Sequence, residues 1–147
     1  MKKPLRLKVA LPRIPDIELV AIEGLERLAR HMGIAEEKIG EARIIVTEAI
    51  INAFEYACEA DEIVNVEFTV TSEELVIFVQ DFGRGFDPGN VEKPDIREKL
   101  GSPRKRGWGL HLMKSLSDGF QIQSGNSGTT ITITKLLDQR HDHGPAV

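Results

Sequence analysis

A two-layer α+β sandwich, with a mixed, mostly antiparallel sheet covered on one face by helices, is the fold class this sequence predicts. Helical periodicity fills the stretch from Asp16 to about Cys58 and strand alternation dominates afterwards, so the two kinds of element are segregated. Hairpin signals join the strands in pairs, which favours antiparallel neighbours over helical crossovers. A chain of 147 residues suits one domain, expected over 1–137 with a polar, disordered tail at 138–147, and buries roughly two thirds of its unfolded surface.

Leu5 to Leu11 forms a first strand, ended by Pro12 and Pro15, which cannot donate to a sheet ladder. Asp16 is the expected N-cap of a helix whose apolar positions Leu19, Ile22, Leu25, Leu28 and Ala29 recur at helical spacing up to Gly33. A second helix is expected from Ala35 to about Cys58. Val64, Val66, Phe68 and Val70 then alternate with Asn65, Glu67 and Thr69, and Thr71-Ser72-Glu73-Glu74 turns the chain into the apolar run Leu75 to Val79. That pattern is a hairpin. A third helix runs from about Trp108 to Ser117, and two last strands, Phe120 to Gln123 and Thr129 to Leu137, flank the turn Gly125-Asn126-Ser127-Gly128.

Residues that suggest chemistry cluster around these elements. Asp81 leaves a strand, and Gly83 and Gly85 let the following backbone come close to a flat ligand with no Cβ in the way. Taken alone, the same spacing also describes an ordinary turn. Gly107 and Gly109 open the third helix, where unpaired backbone N–H groups can face phosphate oxygens. Together the two glycine pairs read as halves of a nucleotide pocket. On the second helix Glu41, Glu48, Asn52 and Glu55 fall within about 60° of arc, opposite Val46, Ile50, Ala53 and Ala57. Such a stripe either faces water or lines a site. Asn52 in mid-helix, where Ala or Lys costs less, favours a site. Glu48, one turn earlier, lets a carboxylate and a carboxamide oxygen address one metal-bound phosphate.

Composition narrows the alternatives. A net charge of −4 supplies no basic field, so no direct nucleic-acid partner is expected. The longest apolar runs, such as Leu75 to Val79, are too short to cross a bilayer, and no apolar signal core follows the charged start Met1-Lys2-Lys3. The one cysteine, Cys58, has no partner for a disulfide or a zinc site, which suits a cytoplasmic protein. His31 and His111 read as structural, and His141 and His143 as part of a solvated tail.

Glu48-Ala-Ile-Ile-Asn52, Asp81-Phe-Gly-Arg-Gly85, Gly107-Trp-Gly-Leu110 and Gly128-Thr129-Thr130 resemble, in order and spacing, the four boxes of the GHKL ATPase and kinase superfamily, whose nucleotide pocket is the Bergerat fold. The resemblance extends from about Asp16 to Lys135 and is strongest to the bacterial anti-sigma factor serine/threonine kinases. It implies ATP and Mg²⁺ as cofactors. By the same resemblance, Asp81 accepts a hydrogen bond from the adenine amine, Thr129 helps through its hydroxyl or a bridging water, and Gly83 and Gly85 line the adenine pocket. Asn52 would give its side-chain oxygen to Mg²⁺, and Gly107, Trp108, Gly109 and Leu110 would offer backbone N–H groups to phosphates. Glu48 would orient or deprotonate the attacking hydroxyl.

Residues 87–106, between the glycine pairs, have the composition of an ATP lid, with Pro88, Gly89, Pro94, Gly101 and Pro103 breaking regular structure. Its basic residues outnumber its acids, and Arg104, Lys105 or Arg106 would close on the γ-phosphate, although a solvated basic loop has the same composition. Two departures from the family pattern stand out: Trp108 is bulky for its position, and Tyr56 stands where related sequences often carry His. The expected function is an ATP-dependent serine/threonine protein kinase and anti-sigma factor. Such a protein phosphorylates an anti-anti-sigma (antagonist) protein, holds a sigma factor or equivalent client, and regulates transcription by partner switching. A homodimer through the N-terminal strand and first helix is expected as well. The alternatives are a non-catalytic nucleotide-dependent binding module and an ATPase subunit of a larger signalling assembly; the presence of both Glu48 and Asn52 favours the kinase.

Overall fold

Among the residues that the computed structural model describes, 3–56, 63–82, 108–125 and 127–137, the chain runs β1 (Leu5–Pro12), α1 (Glu18–His31), α2 (Glu36–Tyr56), β2 (Ile63–Val70), β3 (Glu74–Asp81), α3 (Trp108–Leu116), β4 (Gly119–Gly125) and β5 (Gly128–Leu136). The strands form one sheet in the order β1-β2-β3-β5-β4, and every neighbouring pair is antiparallel, so the expected mixed sheet is antiparallel throughout these residues. Cys58, the expected lid and the expected tail lie outside the described residues.

Strand alternation decides which face is buried. Val64, Val66, Phe68 and Val70 of β2, Leu75, Ile77 and Val79 of β3, and Ile131 and Ile133 of β5 are buried under the helices. Asn65, Glu67, Thr69, Thr130, Thr132 and Thr134 line the opposite face. Register stacks the buried set in rows, Phe68–Ile77–Ile133 in the middle and Val66–Val79–Ile131 next to it. Burying each such side chain contributes about 1.5–3 kcal/mol, so this apolar middle holds sheet and helices together. Both ends of the same face are polar. Asp81, Thr129 and Ser124 make a row at one end, and Lys135, paired with Leu75, stands at the other.

The first helix departs from expectation at its start. Asp16 does not cap it, because its own backbone is left-handed with φ 64°, a conformation Asp tolerates. Ile17 takes the cap position without a side-chain hydrogen bond. Ala21, Ile22, Leu25 and Ala29 form the buried stripe, whereas Leu19, about 100° away from its centre, is 57% exposed. The end conforms: Gly33, φ 79°, lets its own N–H reach Arg30 O and that of Ile34 reach Ala29 O, both at 3.0 Å. Arg30 then donates to Glu36 at 2.9 and 3.1 Å, and Arg43 to Glu26 at 3.0 Å, lacing α1 to α2.

Candidate functional site

The polar row at one end of the sheet is built by two local devices. First, β3 continues past Val79 to Asp81, which turns that carboxylate toward the helices and leaves the residue 3% exposed. Second, Gly128 starts β5 with φ 131°, and a Cβ there would overlap the Asp81 carbonyl oxygen and come within 2.9 Å of Phe82 Cα. Only glycine allows this crossing. Thr129 consequently lies opposite Asp81 and is buried with it. On its other side, Thr129 Oγ1 shares a hydrogen bond of 2.7 Å with Ser124 Oγ of β4. Reading Gly125 to Gly128 as a four-residue turn hides this serine. With Gly125 and Gly128 paired, as they are, the hairpin sets Ser124 directly across from Thr129.

Two pins orient α2 over the sheet. Near its start Glu41 forms an ion pair with Lys135, a buried cation at the end of the sheet away from Asp81. Near its end Phe54 O accepts a hydrogen bond from Arg13 Nη2 at 2.8 Å. Arg13 directly follows β1, whose last pair, Pro12 with Ile63, lies at the Asp81 end. The helix from Glu41 to Phe54 is about 20 Å long, matching the roughly 20 Å that a strand covers from Lys135 to Thr129. So α2 crosses the sheet from one polar end to the other.

Asn52 arrives at the Asp81 end. It is 5% exposed, and its Nδ2 has no hydrogen-bond partner among the described residues. Leaving a buried amide donor unpaired costs about 1–3 kcal/mol, which an asparagine serving only the fold has no reason to carry. Glu48, one turn earlier, is half-buried, and Glu55 is exposed. The polar stripe of the sequence therefore divides: Glu41 serves the fold, and Asn52 is withheld from water. As for the carboxamide, Nδ2 suits a phosphate oxygen and Oδ1 suits a metal ion, so the group fits a magnesium nucleotide.

The lysine that pins α2 also places α3. Lys135 Nζ donates to Leu116 O at 2.7 Å, which fixes the last turn of α3 at the far end of the sheet. α3 packs against α2 with Leu110 and Met113 buried, and its 9 residues carry its first turn about 12 Å back toward Asp81. The first-turn N–H groups, at Trp108, Gly109 and Leu110, are those a helix leaves unpaired, at the positive end of its dipole. Asn52, Asp81 and Thr129 thus stand at one end of the sheet on three separate elements, with Glu48 one turn earlier on α2 and Gly109 and Leu110 in the first turn of α3. Gly83, Gly85, Arg104, Lys105, Arg106 and Gly107 lie outside the described residues, as does the side chain of Trp108. Ser124 and Lys135 join the arrangement from the structure alone.

Comparison with known proteins agrees with this architecture. The model of the histidine kinase-like ATPase domain family matches residues 15–135. In sequence the chain is 34% identical over 148 residues to serine-protein kinase RsbW of Bacillus licheniformis, a match covering 96% of this chain and 92% of that protein. Serine-protein kinase RsbW of Bacillus subtilis is 28% identical over 149 residues with the same coverage, 96% and 92%. In fold it is similar to the crystal structure of the RsbU and RsbW domains of a Mycobacterium tuberculosis protein, with a TM-score of 0.63 and 19% identity over 90% of this chain. The match spans 32% of that mycobacterial polypeptide. The histidine kinase domain of the blue-light activated kinase of Erythrobacter litoralis gives a TM-score of 0.58 at 19% identity, over 86% of this chain and 62% of that one. No helix among the described residues is long and apolar enough to cross a membrane.

Proposed function

The chain belongs to the histidine kinase-like ATPase domain family, and from that membership we propose that it is an ATP- and Mg²⁺-dependent serine/threonine protein kinase and anti-sigma factor. It phosphorylates an anti-anti-sigma antagonist, holds a sigma factor when the antagonist is phosphorylated, and so regulates transcription by partner switching, in keeping with the serine-protein kinases it is similar to. The observation that carries the reading is Asn52, a buried carboxamide whose donor has no protein partner among the described residues and which lies at the same end of the sheet as Asp81.

The roles follow the family resemblance, and the burial of Asn52, Asp81 and Thr129 supports theirs. Asp81 accepts the adenine amine, and a buried carboxylate there rejects a base that presents an oxygen instead. Thr129 completes the edge that meets the base, and Gly83 and Gly85 line the adenine pocket. Backbone N–H groups of Gly107, Trp108, Gly109 and Leu110 hold phosphate oxygens at the head of α3. Asn52 gives Oδ1 to Mg²⁺, which when bound neutralises charge on the phosphates. Glu48 hydrogen-bonds the attacking hydroxyl of the antagonist, a role that needs reach rather than a displaced pKa. Arg104, Lys105 and Arg106 supply the positive charge that faces the γ-phosphate. Ile14, Leu19 and Val20, each more than half exposed, support a homodimer through β1 and α1.

Labelled ATP, Mg²⁺ and a candidate antagonist protein, incubated with the chain, should give label on a serine or threonine of the antagonist. Glu48→Ala should keep ATP binding and lose transfer by about 100-fold or more. Asp81→Asn should lose nucleotide binding. A complex that forms with ATP while label never reaches the antagonist would favour the non-catalytic binding module instead.

A further inference from the structure

We propose that Ser124 is a specificity-determining positioning residue of the nucleotide site, acting on the base through Thr129. The inference rests on the nucleotide reading of this site and adds a residue to it. Ser124, Thr129 and Asp81 stand in one row across β4, β5 and β3, and the 2.7 Å separation of Ser124 Oγ from Thr129 Oγ1 is that of a hydrogen bond between hydroxyls.

One hydrogen lies between those two oxygens, and its ownership decides what Thr129 shows to a ligand. A threonine hydroxyl has a single donor. If Thr129 spends that donor on Ser124, it turns only lone pairs toward the pocket, next to a carboxylate that likewise only accepts. If Ser124 donates, Thr129 keeps its hydrogen and presents a donor beside the Asp81 acceptor. Adenine offers the complement of the second arrangement, an amine donor at C6 and an acceptor at N1, whether N1 is met directly or through a water that Thr129 orients. Hypoxanthine and guanine reverse both, with an oxygen at C6 and a hydrogen on N1. Ser124 as donor therefore locks the hydroxyl pair in the sense that reads adenine, and its removal frees Thr129 to rotate and accept from N1–H.

Inosine triphosphate, which differs from ATP only at this edge, is the probe. Affinities of both nucleotides with Mg²⁺ are measured by calorimetry for the unaltered chain, Ser124→Ala and Ser124→Thr. Ser124→Ala should weaken ATP by about threefold to tenfold, the scale of one neutral hydrogen bond, and leave inosine triphosphate unchanged or tighter, so that the ratio narrows. Ser124→Thr keeps the hydroxyl and should restore the ratio. Equal weakening of both nucleotides, an unchanged ratio in Ser124→Ala, or a ratio that Ser124→Thr does not restore would overturn the role of Ser124 while leaving the nucleotide site intact. Absence of ATP binding by the unaltered chain would overturn the site and, with it, this inference.

Discussion

Asn52 buries an amide donor that has no partner among the described residues, a local loss of stability that a bound ligand can recover. Replacing it with Ala removes the unpaired donor along with the side chain, so the free protein should melt within about 2 °C of the parent or above it. The same change should weaken Mg²⁺-dependent ATP binding at least about tenfold, and calorimetry beside a thermal melt separates the two effects. A large loss of stability with binding intact would make Asn52 a structural residue. Gly128 is the converse case, because its φ of 131° and its contact with Asp81 and Phe82 leave no room for Cβ. Gly128→Ala should cost about 2 kcal/mol or more in chemical denaturation and should also weaken nucleotide, since it pushes Thr129 away from Asp81. Asn52 and Asp81 are legible in sequence because each is the wrong residue for its element unless something binds it. Ser124 is not, since a serine beside a turn has an ordinary reason to be there; its meaning depends on a register that Gly125 and Gly128, at the two ends of the turn, make hard to assign.

Among the elements, α2 and α3 owe their placement to one buried cation. Lys135 occupies an inward position of β5, in line with Ile131 and Ile133, and meets Glu41 of α2 and the last carbonyl of α3. Lys135→Met should destabilise the fold by about 2 kcal/mol and loosen ATP binding at a distance, as both helices lose their common anchor. Glu41→Leu leaves the lysine buried without its counter-charge and should cost more, whereas the double change should recover much of the loss, because a buried pair is dearer to break than to replace by packed apolar groups. Urea titration of the three variants tests this cycle; strict additivity would mean that the pair does not couple. The Arg30–Glu36 contact between α1 and α2 behaves differently. Its hydrogen bond from Arg30 lowers the Glu36 pKa, so whatever stability it contributes is present above the ordinary carboxylate range and is lost as pH falls through the lowered folded value. The extent of α1 and the start of α2 are legible from periodicity to within about two residues. The cap of α1 is not, because Pro15 followed by a left-handed Asp16 uses the capping residue to turn the chain instead.

For the molecule as a whole, both hairpins can be read from alternation and turns, but their junction cannot. Buried alternation looks alike on every strand, so sequence does not say that β3 rather than β2 meets β5, or that β1 covers the outer edge of β2. The order that results puts two hairpins of local contacts side by side and joins them only along β3 and β5, across a long connection that leaves β3 at Asp81 and returns at Gly128. Closing that connection costs chain entropy before it returns any contact, so the junction belongs to a late step of folding. Asp81 and Thr129 face each other only after it. Nucleotide should therefore slow unfolding and leave the refolding rate unchanged, which stopped-flow kinetics with and without ATP can read; faster refolding would move the junction into the rate-limiting barrier. A strand pairing made late is then the one that bound nucleotide holds shut, and the lifetime of the folded chain rises and falls with the nucleotide supply around it.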